Sequence, residues 1–345
     1  MSFRASAPAL LFVSMLASAC GAGSPSAPTA TEPGSLLSYR GATVSAIDGT
    51  PIAGVAVKVG TRTALSDHLG QFELKNLEEG AAIVTLSGSS VVERRRSVAI
   101  PADITKETLI PSAFDLEAFD AMFRGTGQLQ RWTSAPALVV LGSVMQYHSV
   151  GSDEYQATAE QLTDDEVTLL VQHLTEGLSL LTGNRFASFS SVEVERPASG
   201  KRVNTLRTGA IVAGRYRGVQ SLATTIGLGR WSNNGNSAEV VGGALYLDSN
   251  FDRSNDARRL LRIHELGHAL GYLHVTTRTS IMNPAIGPEP TDFDRNAALI
   301  AFERMPGNQS PDSDVTDAPR SPGGIFGVRG IAARPVWAPP VICIP

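Results

Sequence analysis

Three of the chain's six histidines fall in the run His264-Glu265-Leu266-Gly267-His268-Ala269-Leu270-Gly271-Tyr272-Leu273-His274. Residues 258–270 hold no proline and carry an apolar stripe, which predicts a helix. Positions i and i+4 lie one above the other on a helix face, so the imidazoles of His264 and His268 stand side by side. They can then bind one cation at about 2.0–2.1 Å. Glu265 is rotated roughly 100° from His264, so it can face a metal-bound water without being a ligand. Gly271 can take positive φ and end the helix. The chain then turns and brings His274 in as a third ligand.

Three neutral nitrogen ligands and one open position describe a catalytic zinc site, whereas structural sites close all four positions. The expected cofactor is one Zn2+ ion. Zinc draws the pKa of its bound water from about 9 toward about 7. Glu265 takes that proton, the hydroxide attacks a peptide carbonyl, and Glu265 hands the proton to the leaving amine. The five fixed positions would coincide by chance on the order of once in 10⁵ such chains. Two bland alternatives remain: a helix carrying satisfied or surface histidines, and a relative that keeps the fold without the activity.

A second feature agrees. Met282 lies eight residues after His274, within Thr279-Ser280-Ile281-Met282-Asn283-Pro284. Together the two strings resemble the signature of the metzincin clan of zinc metallopeptidases, with Met282 at the clan's Met-turn. The resemblance covers roughly residues 137–305 and implies a zincin-like α/β domain. It also implies that Met282 packs beneath the zinc as a hydrophobic floor without ligating it. By order along the chain, 222–228 would be the antiparallel edge strand on which an extended substrate pairs. Residues 243–248 would feed the zinc helix, 284–290 would wall the pocket, and a last helix would start at Thr291. Val275 follows the third histidine where many members carry an acidic, serine or proline residue. Pro284 stands where a tyrosine ligand would be, so water is expected to complete the shell. No cysteine-switch or aspartate-switch propeptide is found.

The rest of the chain must position these residues. Its 345 residues leave room for two domains. Apolar residues at 42% against 18% charged exclude a wholly disordered protein. A net charge of −4 gives no electrostatic footprint for nucleic acid. With only Cys20 and Cys343 present, neither a disulfide framework nor a thiolate metal site is expected.

Arg4 precedes a mostly apolar run, 5–19, that is too short to cross a hydrocarbon core of about 30 Å. Small residues before Cys20 fit an export signal over 1–20. The end of that segment resembles the lipobox of bacterial lipoproteins, in which the cysteine is lipidated. Cys20 would then anchor the protein to a membrane of the bacterial cell envelope. The alternative is ordinary signal cleavage near Ala19, leaving Cys20 free and the protein secreted. Residues 21–35 are almost entirely Gly, Ala, Ser, Thr and Pro and read as a flexible linker.

Residues 36–111 show short alternating runs at 55–59, 71–74 and 82–86, broken by turn residues, which predict a small β-sandwich. Gly41-Ala42-Thr43-Val44, Pro51-Ile52-Ala53-Gly54-Val55-Ala56-Val57 and Ser66-Asp67, with Gly70 and Phe72 beyond, resemble the carboxypeptidase regulatory-like domain. That family is a transthyretin-like sandwich and usually accessory. His68 falls in a turn and is expected to be exposed. From 113 to 305 the pattern becomes mixed α and β. Strands are expected at 137–141, 186–194, 210–215, 222–228 and 243–248, with a loop at 229–237. A helix capped by Thr163 and Glu166 should bury Val167, Leu170, Val171, Leu174, Leu178 and Leu181 and end at Gly183. His173 lies off that stripe and is expected to be solvated. Another helix should begin near Ser254. Residues 306–345, rich in proline and glycine, read as an irregular tail in which 341–344 are apolar and Cys343 has no evident partner.

The expected fold is therefore multidomain. An all-β transthyretin-like sandwich precedes a zincin-like α/β domain with a mixed five-stranded sheet and three main helices. The expected function is that of a zinc-dependent endopeptidase acting on protein or peptide substrates, exported and lipid-anchored. The alternative is a non-catalytic surface lipoprotein that binds protein or glycan and carries a decayed peptidase domain.

Overall fold

The computed structural model describes residues 37–104, 106–149, 152–219, 225–235, 237–286, 288–315, 335–338 and 341–343. The export segment 1–20 with Cys20, and the linker 21–35, lie outside the described residues. Among the described residues, no helix is long and apolar enough to cross a membrane.

Eight strands come first: β1 (Leu37–Ser45), β2 (Ala56–Val59), β3 (Arg62–Leu65), β4 (Gln71–Leu77), β5 (Gly80–Gly88), β6 (Val91–Ile100), β7 (Ala102–Asp103) and β8 (Glu107–Leu109). They form two four-stranded sheets, β4-β1-β7 with β8 beside β1, and β3-β2-β5-β6. Alternation decides which side chains go inside. Phe72 and Leu74 of β4, Val57 of β2, and Val84 and Leu86 of β5 share one core with Tyr39 and Leu109, while Glu73 and Lys75 face out. The three expected strand runs lie within β2, β4 and β5, apart from Val55, a buried residue just ahead of β2. His68 is exposed in its turn, as expected.

The remainder runs α1 (Leu116–Arg124), β9 (Ala137–Gln146), β10 (Glu154–Gln161), α2 (Asp164–Leu181), β11 (Val192–Glu195), β12 (Arg202–Asn204), β13 (Ala210–Arg217), β14 (Gly227–Asn234), β15 (Val240–Asp248), α3 (Ser249–Ser254), α4 (Arg258–Ala269), α5 (Asp292–Phe302), β16 (Pro335–Trp337) and β17 (Val341–Cys343). The strands build one mixed sheet in the order β12-β10-β9-β13-β15-β14-β16, with β11 on β9 and β17 on β14. β9, β13 and β15 are parallel, and β14 runs antiparallel to β15. Both faces of the central strands are covered, so their runs are apolar throughout rather than alternating. Ile211, Ala213, Leu245 and Leu247 face the helices. Val212, Tyr155, Tyr216 and Tyr246 form a second core on the other face.

Several expectations need correction. The sheet has nine strands, not five. The run 186–194 gives only β11, because Phe186 and Phe189 are spent on the helical core. The strand expected at 222–228 is Gly227–Asn234, antiparallel to β15 but flanked on its other side by β16 and β17, so most of the stretch read as the loop 229–237 is strand, while 220–224 lie outside the described residues. The helix expected near Ser254 is two helices separated at Asn255. α1 and β10 were not anticipated. Among the described residues, α2, α4 and α5 are the three longest helices, accompanied by the shorter α1 and α3.

The tail is not simply irregular. Asp312 and Asn308 are wholly buried. Asp312 accepts from Arg94 of β6 at 2.8 Å and from Arg304 at 2.8 Å through both Nε and Nη2. Arg304 also donates to the Thr108 hydroxyl at 2.9 Å. This buried charge cluster ties the sandwich, the end of α5 and residues 308–312 into one piece.

Candidate metal centre

α4 is placed by what surrounds it. α2 starts with the capping box expected at Thr163 and Glu166 and buries Val167, Leu170, Leu174, Leu178 and Leu181, with Val171 half-buried. Gly183 follows at φ +57 and stops it. Gly177 of α2 touches α4, where a Cβ would lie 3.1 Å from Leu266 and 3.2 Å from Ile263. Near the start of α4, Arg262 donates to the buried Asp252 of α3 at 2.7 and 2.9 Å, and Arg215 of β13 donates to the same carboxylate at 2.6 Å. His173 is not solvated but half-buried, with Nδ1 3.1 Å from Arg262. Burial and the Arg262 charge hold its pKa below the usual histidine value.

His264 and His268 project from α4 as the spacing predicts, and Gly271 turns the chain at φ +106. A Cβ at Gly271 would press on the Gln130 carbonyl at 2.9 Å, so glycine is needed there for space as well as for φ. The turn is pinned where Trp132 donates to the Ala269 carbonyl at 3.1 Å and the Leu273 amide to Met122 at 2.8 Å. His274 then closes the group. The three Nε2 atoms lie 3.0, 3.2 and 3.3 Å apart. Ligands 2.0–2.1 Å from a tetrahedral centre would stand about 3.3–3.4 Å from each other, so these nitrogens fit one ion.

The other ring nitrogens are fixed from behind. His264 Nδ1 lies 2.6 Å from the Ile281 carbonyl and His268 Nδ1 2.7 Å from the Tyr272 carbonyl. Each Nδ1 must donate there, which leaves the Nε2 lone pair pointing inward. Burial pushes His264 and His274 down to about 4, and His268 well below its usual value. Neutral imidazole is the form that ligates.

Glu265 is fully buried, and neither carboxylate oxygen has a hydrogen-bond partner among the described residues. Burial drives its pKa well up. An orphaned carboxylate beside three inward-facing imidazoles is a poor structural feature and a good proton carrier.

Met282 is buried in a turn that begins at Ser280. Its sulfur stands where a Cβ on Gly267, just before His268, would have to go. Asp294 of α5 braces this turn, accepting from Ser280 Oγ at 2.5 Å and the Ile281 amide at 3.2 Å. Asn283 Nδ2 donates to the Val275 and Arg278 carbonyls at 2.7 and 2.8 Å. Sequence reading missed Asp294, although Thr291 and Asp294 stand at capping-box spacing. Of the expected pocket wall, Ile286 packs half-buried on the core and residue 287 lies outside the described residues.

The largest departure is Cys343. It has partners after all: its Sγ lies 2.9 Å from His264 Nε2, 3.5 Å from His268 Nε2 and 3.7 Å from His274 Nε2. The four ligand atoms form a group able to hold a metal ion. A cysteine sulfur belongs to this candidate site, contrary to expectation, and it faces the fourth position. Burial, then the Glu265 carboxylate, raises the thiol's pKa; a divalent cation among these ligands would invert that balance.

Two solved structures show a partial likeness to the chain. Both are type II cohesin–X–dockerin complexes of Acetivibrio cellulolyticus, a C-terminal and an N-terminal interface mutant. The first is 20% identical over 21% of this chain and 50% of its own, with a TM-score of 0.16. The second is 25% identical over 24% of this chain and 60% of its own, with a TM-score of 0.19. The chain thus spans about half of the solved chains it matches, and likeness at this level assigns neither fold nor partner. No family model and no curated protein matches the chain.

Proposed function

We propose that the protein is a zinc-dependent endopeptidase of the metzincin type, with His264, His268 and His274 as metal ligands and Glu265 as the catalytic acid and base. The observation that carries this reading is the convergence of three Nε2 atoms within 3.3 Å beside a buried, unpartnered carboxylate. The spacing of the histidines and the place of Met282 in the chain support it independently.

A zinc ion here would supply a Lewis acid that polarises a peptide carbonyl and makes water acidic enough to attack near neutral pH. Glu265 takes the proton of the attacking water and delivers it to the amine as the C–N bond breaks. Burial favours its protonated form by raising its pKa well above the usual carboxylate value. The side of β14 that β16 and β17 occupy would hold an extended peptide in their place, with main-chain hydrogen bonds fixing the scissile bond's register. Gly227 and Gly229 let that strand lie close over Glu265 and His268.

Because Cys343 faces the fourth position, the test uses zinc-loaded Cys343→Ala beside the wild type, with an unfolded protein as substrate. Cleavage that a chelator abolishes and zinc restores is expected. One zinc per chain with no cleavage by either protein would overturn the reading. Export and anchoring through Cys20 are proposed on the sequence alone. Cys20→Ser should release the protein from membranes, and unchanged partitioning would refute the anchor.

A further inference from the structure

The approach of Cys343 is prepared by the backbone on both sides of it. β17 pairs antiparallel with β14, matching Val341 with Gly229 and Cys343 with Gly227. The Ile226 amide donates to the Cys343 carbonyl at 3.2 Å. Further along the same edge, β16 pairs Pro335–Trp337 with Ser232–Asn234, and the Ala338 amide donates to the Trp231 carbonyl at 2.8 Å. Arg230 lies 4.4 Å over the Trp337 ring, and the Trp337 indole donates to Asp153. Two strand segments and an aromatic clamp therefore seat the chain's end on the edge where an extended substrate would pair.

At the end of this track the sulfur stands near tetrahedral spacing from two of the three histidines and closer to the third. A thiolate at 2.3 Å and an imidazole at 2.0–2.1 Å from one tetrahedral ion stand about 3.5–3.6 Å apart. The sulfur lies 3.5 and 3.7 Å from His268 and His274, and 2.9 Å from His264. Glu265 stays buried beside the group without a hydrogen-bond partner. A site meant to be closed for structural purposes has no use for that carboxylate, whereas a catalytic site held shut does.

We propose that β16 and β17 (335–337 and 341–343) are a built-in inhibitor of the site, filling the substrate edge while the Cys343 thiolate holds the fourth metal position. The site opens when the segment leaves β14. On release the metal–sulfur bond would break, the Cys343 sulfur would take up a proton from solvent, water would fill the fourth position, and the freed edge would accept a peptide. This inference rests on the peptidase reading above.

The test loads the full-length wild type and Cys343→Ala with Co2+ in place of zinc. The wild type should show the near-ultraviolet thiolate-to-cobalt charge-transfer absorption, and Cys343→Ala should lack it while still binding one cobalt. With zinc, Cys343→Ala should cleave an unfolded protein faster by roughly tenfold or more, as when an internal ligand occupying a site about nine-tenths of the time is removed. If cobalt-loaded wild type lacks the absorption, or if Cys343→Ala is no faster, the inhibitor is wrong and the peptidase reading stands. If neither protein binds metal, or neither cleaves, both fall.

Discussion

Gly229 of β14 lies directly against His268 of α4, so that a Cβ added to Gly229 would stand 2.5 Å from the His268 Cβ and 2.6 Å from the Glu265 carbonyl oxygen. Strand and helix can approach this closely only because that side chain is missing. Gly229→Ala should therefore force the two apart. Overpacking of this kind costs about 1–3 kcal/mol, which denaturant unfolding would measure, and metal affinity should fall with it. Unchanged stability and affinity would mean that the close approach is not needed.

The same glycines explain why part of the fold was legible in the sequence and part was not. The histidine spacing, Gly271 and the Thr163 cap each follow a local rule, and each is found where that rule puts it. β14 extends past the expected strand 222–228 because Gly229 looks like the start of a loop until the helix beneath it is known. β12 is a three-residue polar edge strand, and β10 beside it carries only Tyr155 and Ala157 as buried alternating positions. Cys343 lies 79 residues from His264, a pairing that only the seating of β17 on β14 reveals. Asp312 sits in a stretch whose composition suggested a loose tail, yet it is buried between Arg94 and Arg304.

Glu265→Gln keeps the shape and removes the proton carrier. Cleavage by the Cys343→Ala background should fall by about 10²–10⁴, the usual share of general acid–base catalysis. Zinc content should stay the same, because Glu265 is not a ligand. A variant that cleaves as fast as its parent would assign the proton transfers elsewhere.

Asp294 holds the turn that holds His264, through Ser280 Oγ and the Ile281 amide on one side and the Ile281 carbonyl on the other. Asp294→Ala should loosen that imidazole and lower zinc affinity by about 10–100-fold, as loss of an outer-shell partner typically does. A competition titration with a chelating dye reads this. Affinity equal to the wild type would show that the turn supports itself.

Asp312→Ala would leave the guanidinium groups of Arg94 and Arg304 buried without their shared carboxylate. Breaking a buried pair in this way costs about 3–5 kcal/mol. Burial pushes the Asp312 pKa up, but the Arg304 and Arg94 charges and the hydrogen bonds outweigh it, and the net shift is downward. A lowered folded value means that the stabilisation is complete above the unfolded value near 3.9 and lost as pH falls through the folded one. The stability gap between wild type and Asp312→Ala should thus be widest above about pH 5 and narrow as acid is added below about pH 4. A gap that grows on acidification would contradict the assignment.

The central claim is that His264, His268 and His274 hold one zinc ion, and its most direct test is the zinc content of the purified chain by elemental analysis. The wild type should carry close to one zinc per chain, and His268→Ala close to none. A wild type that stays metal-free after exposure to zinc, or a His268→Ala chain that carries as much zinc as the wild type, would contradict it.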